Sequence, residues 1–216
     1  MHIGILGGTG PAGRGLATRL AAAGLTVTIG SREAERADAV VREVVAAWPE
    51  QALDIRGAEN AGAAAAEVVV VATPWDSAVV TLRPLVAALE GKVVISMVNA
   101  LAKEGREMLA LVPPRGSMAA AVQAALPGSL VAAALHHLPA GEMMDLGSGL
   151  VADVLVCSDH PRATEQTMAL VGAIDGLRPL DAGSLNQASA IEAFTAVCIT
   201  LNIRHRVHST LRLGGI

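Results

Sequence analysis

The 216-residue chain is poor in aromatic residues and in lysine. It has no tyrosine, one phenylalanine (Phe194), two tryptophans and only two lysines, Lys92 and Lys103. Hydrophobic residues still make up 52% of the sequence, so the core must be aliphatic, built from valine, leucine, isoleucine and alanine. The absence of tyrosine excludes any mechanism in which a tyrosine hydroxyl transfers a proton. The absence of lysine after Lys103 argues against dehydrogenases whose catalytic lysine follows the cofactor domain.

Basic charge and cysteine are also scarce. The formal net charge of −4 shows no basic excess, which argues against a nucleic-acid partner. The two cysteines, Cys157 and Cys198, have neither metal-binding nor redox spacing, so no metal site is expected. The longest candidate for a membrane span, residues 117–135, is interrupted by Gln123 and by Pro127 followed by glycine. We therefore expect a soluble, cytoplasmic protein without a membrane segment.

Alternating strand and helix patterns dominate the sequence. A short apolar run, "HIGIL", stops at the glycine cluster "GGTGPAG", and a helical pattern then runs to Gly24 before the strand-like "TVTIG". Strand, glycine-rich turn, helix and strand within about 30 residues form a βαβ unit. Continuous valine runs such as "VVVVATP" are typical of a parallel sheet covered on both faces. We therefore predict a Rossmann-type, doubly wound α/β fold with a mostly parallel sheet.

The glycine cluster has the pattern of a dinucleotide-binding turn. Gly8, Gly10 and Gly13 fit G-x-G-x-x-G directly after a strand and at the start of a helix. We expect Gly8 to permit the tight turn, Gly10 to admit a pyrophosphate and Gly13 to let the helix pack against the sheet; the alternative is a turn used only for packing. Counting from Gly7 gives the spacing of extended short-chain reductases, but their Tyr-x-x-x-Lys pair cannot exist here.

The second predicted strand ends in Ser31 and Arg32, where an NAD-binding chain normally has an acid that binds the ribose 2′-hydroxyl. A hydroxyl and a planar guanidinium instead suit the 2′-phosphate of NADP. Arg36 lies one helical turn further and adds a second cation on the same side. The alternative is that Arg32 pairs with Glu33 or Glu35 on a solvated helix face. NADP(H) is the cofactor that we predict.

Further elements follow the same alternation. We expect helices at 33–47, 75–89 and 185–208, and strands at "ALDIRG", "KVVISMV", "SLVAAAL", "VADVLVCS" and "GLRPLDA". The composition shifts to glycine and methionine in "PAGEMMDLGSG". The predicted domains are an NADP-binding Rossmann domain at 1–140 and a small C-terminal domain with a helical portion at 141–216, which completes the cleft and contributes the contact of a homodimer.

Beyond these patterns, the chain resembles the NADPH-dependent reductases of the deazaflavin coenzyme F-420, also called F-420:NADP oxidoreductases. The resemblance runs nearly end to end and rests on the blocks "GGTGPAGRGLATRLAAAG", "IGSREAERA", "VVVATPW", "ALHHLPA", "IDGLRPLDAGSL" and "LNIRHRVHSTLRLGGI". It implies hydride transfer between NADP(H) and coenzyme F-420 as co-substrate, a homodimer, and small-molecule coenzymes as the only partners.

The resemblance also implies roles for individual residues. The residues placed on the pyrophosphate are Thr9, Gly10, Pro11 and Ala12; those on the 2′-phosphate are Ser31, Arg32 and Arg36; those along the groove and at the nicotinamide end are Trp75, Val79, Asn99 and Ala140. His136 is the catalytic candidate at the floor of the cleft, where it would hydrogen-bond a coenzyme carbonyl; the alternative is a core histidine whose hydrogen bonds are satisfied within the protein. His137 would point to the opposite face of the same strand.

Two other functions fit the cofactor motif. One is an NADP-dependent reductase of a small carbonyl or imine substrate, and the other is a redox sensor that binds NADP without catalysis. Direct hydride transfer requires alignment of two rings and exclusion of water more than an acid or a base, so the lack of a catalytic dyad is compatible with the reductase.

Overall fold

The first half of the chain forms the alternating strands and helices that its pattern predicts. The computed structural model describes all 216 residues. The elements up to residue 96 are β1 (His2–Leu6), α1 (Pro11–Ala22), β2 (Thr26–Ser31), α2 (Ala34–Ala47), β3 (Ile55–Glu59), α3 (Asn60–Ala63), β4 (Val68–Val71), α4 (Ala78–Leu82), α5 (Val86–Leu89) and β5 (Val93–Ser96). Every residue of β4 and β5 is buried, as expected for central strands covered on both faces.

The second half adds five strands and four helices. They are β6 (Leu101–Glu104), β7 (Glu107–Ala110), α6 (Met118–Ala125), β8 (Leu130–Ala133), α7 (Ala140–Met144), β9 (Ala152–Ser158), α8 (Pro161–Gly172), β10 (Leu177–Asp181) and α9 (Ala188–His205). The predicted strands at "SLVAAAL", "VADVLVCS" and "GLRPLDA" correspond to β8, β9 and β10 and are confirmed. The hairpin of β6 and β7 was not predicted; it forms a separate two-stranded sheet next to α9, where the Met108 N–H donates to Thr200 Oγ1 at 2.9 Å.

One sheet of eight strands carries the fold, in the order β10-β9-β8-β5-β4-β1-β2-β3. The six strands from β8 to β3 are parallel, whereas β9 runs antiparallel to β8 and pairs in parallel with β10. The chain moves from β1 to β2 on one side and to β4 on the other, and this reversal opens a crevice at the carboxyl ends of β1 and β4. The predicted Rossmann-type, mostly parallel sheet is confirmed.

The single helix predicted for 75–89 was wrong. The helical turns begin only at Ala78, and Pro84 lies in a 3₁₀ turn, Arg83–Leu85, that separates α4 from α5. Proline lacks the N–H that continues an α-helix and clashes with the preceding turn, which explains the break. Trp75 therefore lies in a turn before the helix.

The C-terminal segment joins the same sheet. Asp153 on β9 is fully buried and accepts two hydrogen bonds from Arg178 on β10, at 2.8 and 2.7 Å, and a third from the Leu213 N–H. These bonds hold the pKa of Asp153 well below its usual range and fasten the last residues against β9.

The division into domains at residue 140 stays a prediction. None of the helices has the length and hydropathy to cross a bilayer.

Candidate functional site

A cavity of about 550 Å³ lies at the carboxyl ends of β1, β2 and β4, where the chain reverses direction. Its size falls within the usual range of ligand sites. It is lined by Gly7, Thr9, Gly10, Pro11, Ala12, Ser31, Arg32, Arg36, Asn60, Ala72, Thr73, Pro74, Ser77 and Thr81. Seven predicted cofactor residues therefore lie on one concave surface, and no carboxylate lines it.

The glycines divide into one that faces the cavity and others that shape the turn. A Cβ on Gly10 would meet nothing closer than 3.9 Å, so its place faces open space. A Cβ on Gly13 would come within 2.6 Å of the Cα of Gly8, which confirms that Gly13 allows close packing of α1. The tight turn was assigned to the wrong glycine: Gly7 has the positive φ, +69°, whereas Gly8 must be small because it packs on the carbonyl of Ile5.

Helix α1 points its amino terminus at this turn. Its N-cap is Gly10, which has no capping side chain, and its first turn contains no acidic residue. The free N–H groups at the helix start therefore offer partial positive charge to an anion. The Arg14 side chain donates to the Thr9 carbonyl at 3.1 Å and fixes the loop from inside the helix.

Two unpaired arginines form the far end of the cavity. No carboxylate lies within 4.0 Å of the guanidinium nitrogens of Arg32 or Arg36, so the alternative pairing with Glu33 or Glu35 is absent from the structure. Ser31 is buried at the end of β2, and the Glu33 N–H points to its Oγ at 3.5 Å. This end presents one hydroxyl and two permanent cations, a combination suited to a phosphate.

Half of the fourteen lining residues were not predicted, and two of these, Asn60 and Thr73, have side chains that matter for the site. Asn60, the first residue of α3, accepts a hydrogen bond from the Gly7 N–H at 3.1 Å and so holds the glycine turn. Thr73, just after β4, has a buried hydroxyl without a hydrogen-bond partner. The only available signal is that both residues lie within two positions of the end of a parallel strand, where ligand-binding side chains collect.

Four other predicted residues lie outside this cavity. Trp75 is 40% exposed in its turn, and Val79 faces a separate groove with Arg83 and Arg115. Asn99 follows β5, and Ala140 begins α7. Asn99 and Ala140 are partly exposed. Their assignment to the nicotinamide end stays a prediction.

His136 is not on a strand, because β8 ends at Ala133. The prediction that His136 and His137 lie on one strand was therefore wrong; both side chains are buried, and none of their ring nitrogens has a hydrogen-bond partner. The backbone carbonyl of His136 accepts from Asn99 Nδ2 at 3.0 Å, which leaves Asn99 Oδ1 buried and unpartnered. Burial lowers the pKa of His136 to about 3, so the ring is neutral.

Another concavity, of about 360 Å³, lies at the ends of β9 and β10. Its lining includes Asp159, Glu165 and Asp181. Carboxylates at these positions repel phosphates, so charge alone disqualifies this concavity as a dinucleotide site.

Comparison with known sequences gives consistent relatives. The family described as "NADP oxidoreductase coenzyme F420-dependent" matches residues 2–100. The "F420-dependent NADP reductase" of Methanothermobacter marburgensis is 36% identical over 214 residues, which cover 97% of this chain and 96% of that protein. The protein of the same name from Methanocaldococcus jannaschii is 35% identical over 215 residues, with the same coverage.

Comparison with solved structures agrees on the fold. A crystal structure from Arthrobacter sp. FB24, named for the same F420-dependent activity, superposes with a TM-score of 0.81 at 26% identity and covers 98% of this chain and 99% of that one. An imine reductase from Streptomyces aurantiacus reaches a TM-score of 0.60 at 21% identity, covering 94% of this chain and 61% of its own. At that identity the likeness concerns the fold alone.

Proposed function

The chain belongs to the family of F420-dependent NADP reductases, and on this premise we propose that it is an NADPH:coenzyme F-420 oxidoreductase whose NADP site is the cavity at β1, β2 and β4. The observation that carries the assignment of the site is the pair of unpaired arginines, Arg32 and Arg36, in a cavity without carboxylates.

The residues of the cavity fit NADP(H) along its length. The glycine turn and the amino terminus of α1 would hold the pyrophosphate, with Gly10 leaving the space that a phosphate oxygen needs. Ser31, Arg32 and Arg36 would hold the 2′-phosphate. The buried, unpartnered hydroxyl of Thr73 offers a further hydrogen bond to the bound molecule.

The redox end would extend from the cavity toward Asn99 and Ala140. When bound, the two coenzymes supply the chemistry themselves, as a hydride passes between nicotinamide C4 and deazaflavin C5. The chain would align the two rings and exclude water, with His136 beside Asn99 at the polar end of the cleft. The similarity to imine reductases concerns the fold alone and does not favour an imine substrate.

A homodimer is part of the proposal, and its support is the outer face of α9. Phe194, Val197 and Leu201 are exposed there at helical spacing and form one apolar stripe. The nearby hairpin exposes Leu109, and the segment after it exposes Val112. The proposed location is the cytoplasm, because both reactants are small, water-soluble coenzymes.

The direct test mixes the protein with NADPH and purified coenzyme F-420 and follows the bleaching of the deazaflavin absorbance. We expect bleaching that requires both coenzymes. Intact NADPH binding without bleaching would instead support the sensor or the reductase of a small carbonyl or imine. Calorimetric titration with NADPH separates these outcomes from a failure to bind.

Arg32→Asp tests the site itself. Each charge-assisted hydrogen bond is worth about 1.5–3 kcal/mol, so NADP affinity should fall by about 10- to 150-fold, with a much smaller loss for NAD. Arg42→Asp is the matched control, because Arg42 is an exposed arginine of the following helix, α2, that does not line the cavity. Equal losses of NADP and NAD affinity in Arg32→Asp would mean that Arg32 stabilises the fold rather than the 2′-phosphate.

A further inference from the structure

Glu192 of α9 is a buried carboxylate, 5% exposed. Its two oxygens accept hydrogen bonds from the N–H groups of Met118, at 2.7 Å, and Ala119, at 3.0 Å, at the start of α6. The amino terminus of a helix stabilises such a negative charge. Helix α6 already has a capping residue, since Ser117 accepts from the Ala120 N–H at 3.0 Å. Glu192 therefore completes the cap of α6, because it binds the two N–H groups of the first turn that Ser117 does not reach.

The same carboxylate faces the ring of His136. Glu192 Oε1 lies 4.0 Å from His136 Nε2, and neither ring nitrogen has a hydrogen-bond partner. A neutral imidazole has a proton on only one of its two ring nitrogens. The groups that face the two nitrogens determine which nitrogen carries that proton. An ionised carboxylate opposite Nε2 favours the proton on Nε2, which leaves the lone pair on Nδ1. A separation of 4.0 Å in the free protein can shorten to a hydrogen bond when the coenzymes bind.

We propose that Glu192 is a positioning residue of the reductase site, which fixes His136 in the Nε2–H tautomer and so makes Nδ1 a hydrogen-bond acceptor. The proposal rests on the proposed function. Asn99 supports it: because its Nδ2 donates to the His136 carbonyl, its Oδ1 is a second unpartnered acceptor. Both acceptors are buried in the free protein, and in the complex they would accept hydrogen bonds from amide- or imide-type N–H groups. His136 would then not donate to a coenzyme carbonyl, which is the role that the family resemblance implied.

No other group near the pair competes for this role. The charge of Glu192 acts on the thiol of Cys157 on β9, but burial raises the pKa of that thiol to about 12, so it stays neutral. The pKa of His137 is lowered by burial, and it too stays neutral at pH 7. Burial raises the pKa of Glu192 itself to about 6. Glu192 is therefore ionised above pH 6 and protonated below it, where its control of the tautomer is lost.

Nitrogen-15 NMR of histidine-labelled protein at pH 7.5 tests the tautomer without any activity. The His136 signals are identified by their loss in His136→Asn. We expect the Nε2–H pattern in the wild type and the inverted, Nδ1–H pattern in Glu192→Gln, whose amide donates to Nε2. Glu142→Gln is the matched control, because Glu142 contacts His208 at 2.7 Å and not His136. An Nδ1–H pattern in the wild type, or an unchanged Nε2–H pattern in Glu192→Gln, overturns the proposal.

Kinetics give a second readout. Glu192→Gln should raise the KM for coenzyme F-420 by roughly tenfold, the loss of about one hydrogen bond, with NADP affinity unchanged, and should add no further loss in a His136→Asn background. Additive losses would assign Glu192 a structural role only.

If Glu192→Gln does not fold, the wild-type His136 signals at pH 5 decide instead, because they must lose the Nε2–H pattern there. Absence of bleaching by the wild type would refute the proposed function but leave the tautomer result standing.

Discussion

At the scale of single residues, Gly10 and Gly13 have opposite reasons to be glycine. Alanine at Gly10 meets no atom within 3.9 Å, whereas alanine at Gly13 meets the backbone of Gly8 at 2.6 Å. Gly10→Ala should therefore fold normally but lose at least tenfold in NADP affinity, because its methyl group occupies the space proposed for the pyrophosphate. Gly13→Ala should lose about 1–3 kcal/mol of stability through overpacking. Urea unfolding and calorimetric titration of both variants check this; unchanged NADP affinity in Gly10→Ala would place the phosphates elsewhere.

His136 also makes stability depend on pH. Its pKa is about 3 in the folded protein against an ordinary value of 6.5, so between these values the unfolded chain binds one more proton. Stability should therefore fall as the pH drops below 6.5, by about 1.4 kcal/mol per pH unit. His137 acts in the same direction, since its pKa is also lowered. Glu192, with its raised pKa, acts in the opposite direction between pH 4.5 and 6.

The change that isolates this contribution is His136→Asn. It should reduce the slope of unfolding free energy against pH, measured by urea unfolding from pH 5 to 6.5, by the equivalent of one proton. His205→Asn is a suitable control because His205 is exposed at the end of α9. Identical slopes for wild type and His136→Asn would mean that the ring takes a proton in the folded state.

At the scale of elements, α7 is held by one side chain of α1. The Arg19 guanidinium donates to the carbonyls of Glu142, at 2.7 Å, Met143, at 3.3 Å, Ser148, at 3.0 Å, and Asp145. Arg19→Ala leaves these carbonyls unpaired and should cost about 1.5–3 kcal/mol, with faster amide hydrogen exchange confined to 140–150. Arg19→Lys should recover only part of the loss, because an ammonium lacks the guanidinium fork. Unchanged exchange at 140–150 in Arg19→Ala would contradict this role.

The elements also show what local sequence can and cannot predict. The glycine turn, the strand ending at Ser31 and the central valine strands carry their own signals, because period, burial and turn chemistry act between near neighbours. Contacts made by tertiary packing have no such signal: Asn60 binds the Gly7 N–H from 53 residues away, and Glu192 binds Met118 from 74 residues away. The burial of His136 follows from packing in the same way. The break at Pro84 was readable but was outweighed by the helical pattern around it.

At the scale of the whole molecule, α9 separates two environments. Its inner face carries Glu192 toward His136, and its outer face carries the exposed stripe of Phe194, Val197 and Leu201. A helix that is apolar on all sides is normally buried on all sides, and in this chain only the inner side is covered. A second copy of the chain bound to the stripe would cover the outer side. Dimer formation would then also make the site around Glu192 and His136 more rigid.

Val197→Glu tests the proposed dimer. Val197 is 51% exposed in the middle of the stripe, so a glutamate there should leave the monomer folded but bury two like charges across a symmetric contact. We expect light scattering coupled to size-exclusion chromatography to show a dimer for wild type and a monomer for the variant. Val45→Glu is the matched control, since Val45 is a helical valine of α2 with 40% exposure outside the stripe. A wild-type monomer, or a Val197→Glu dimer, would remove α9 as the interface, and the exposed stripe would then require a different partner.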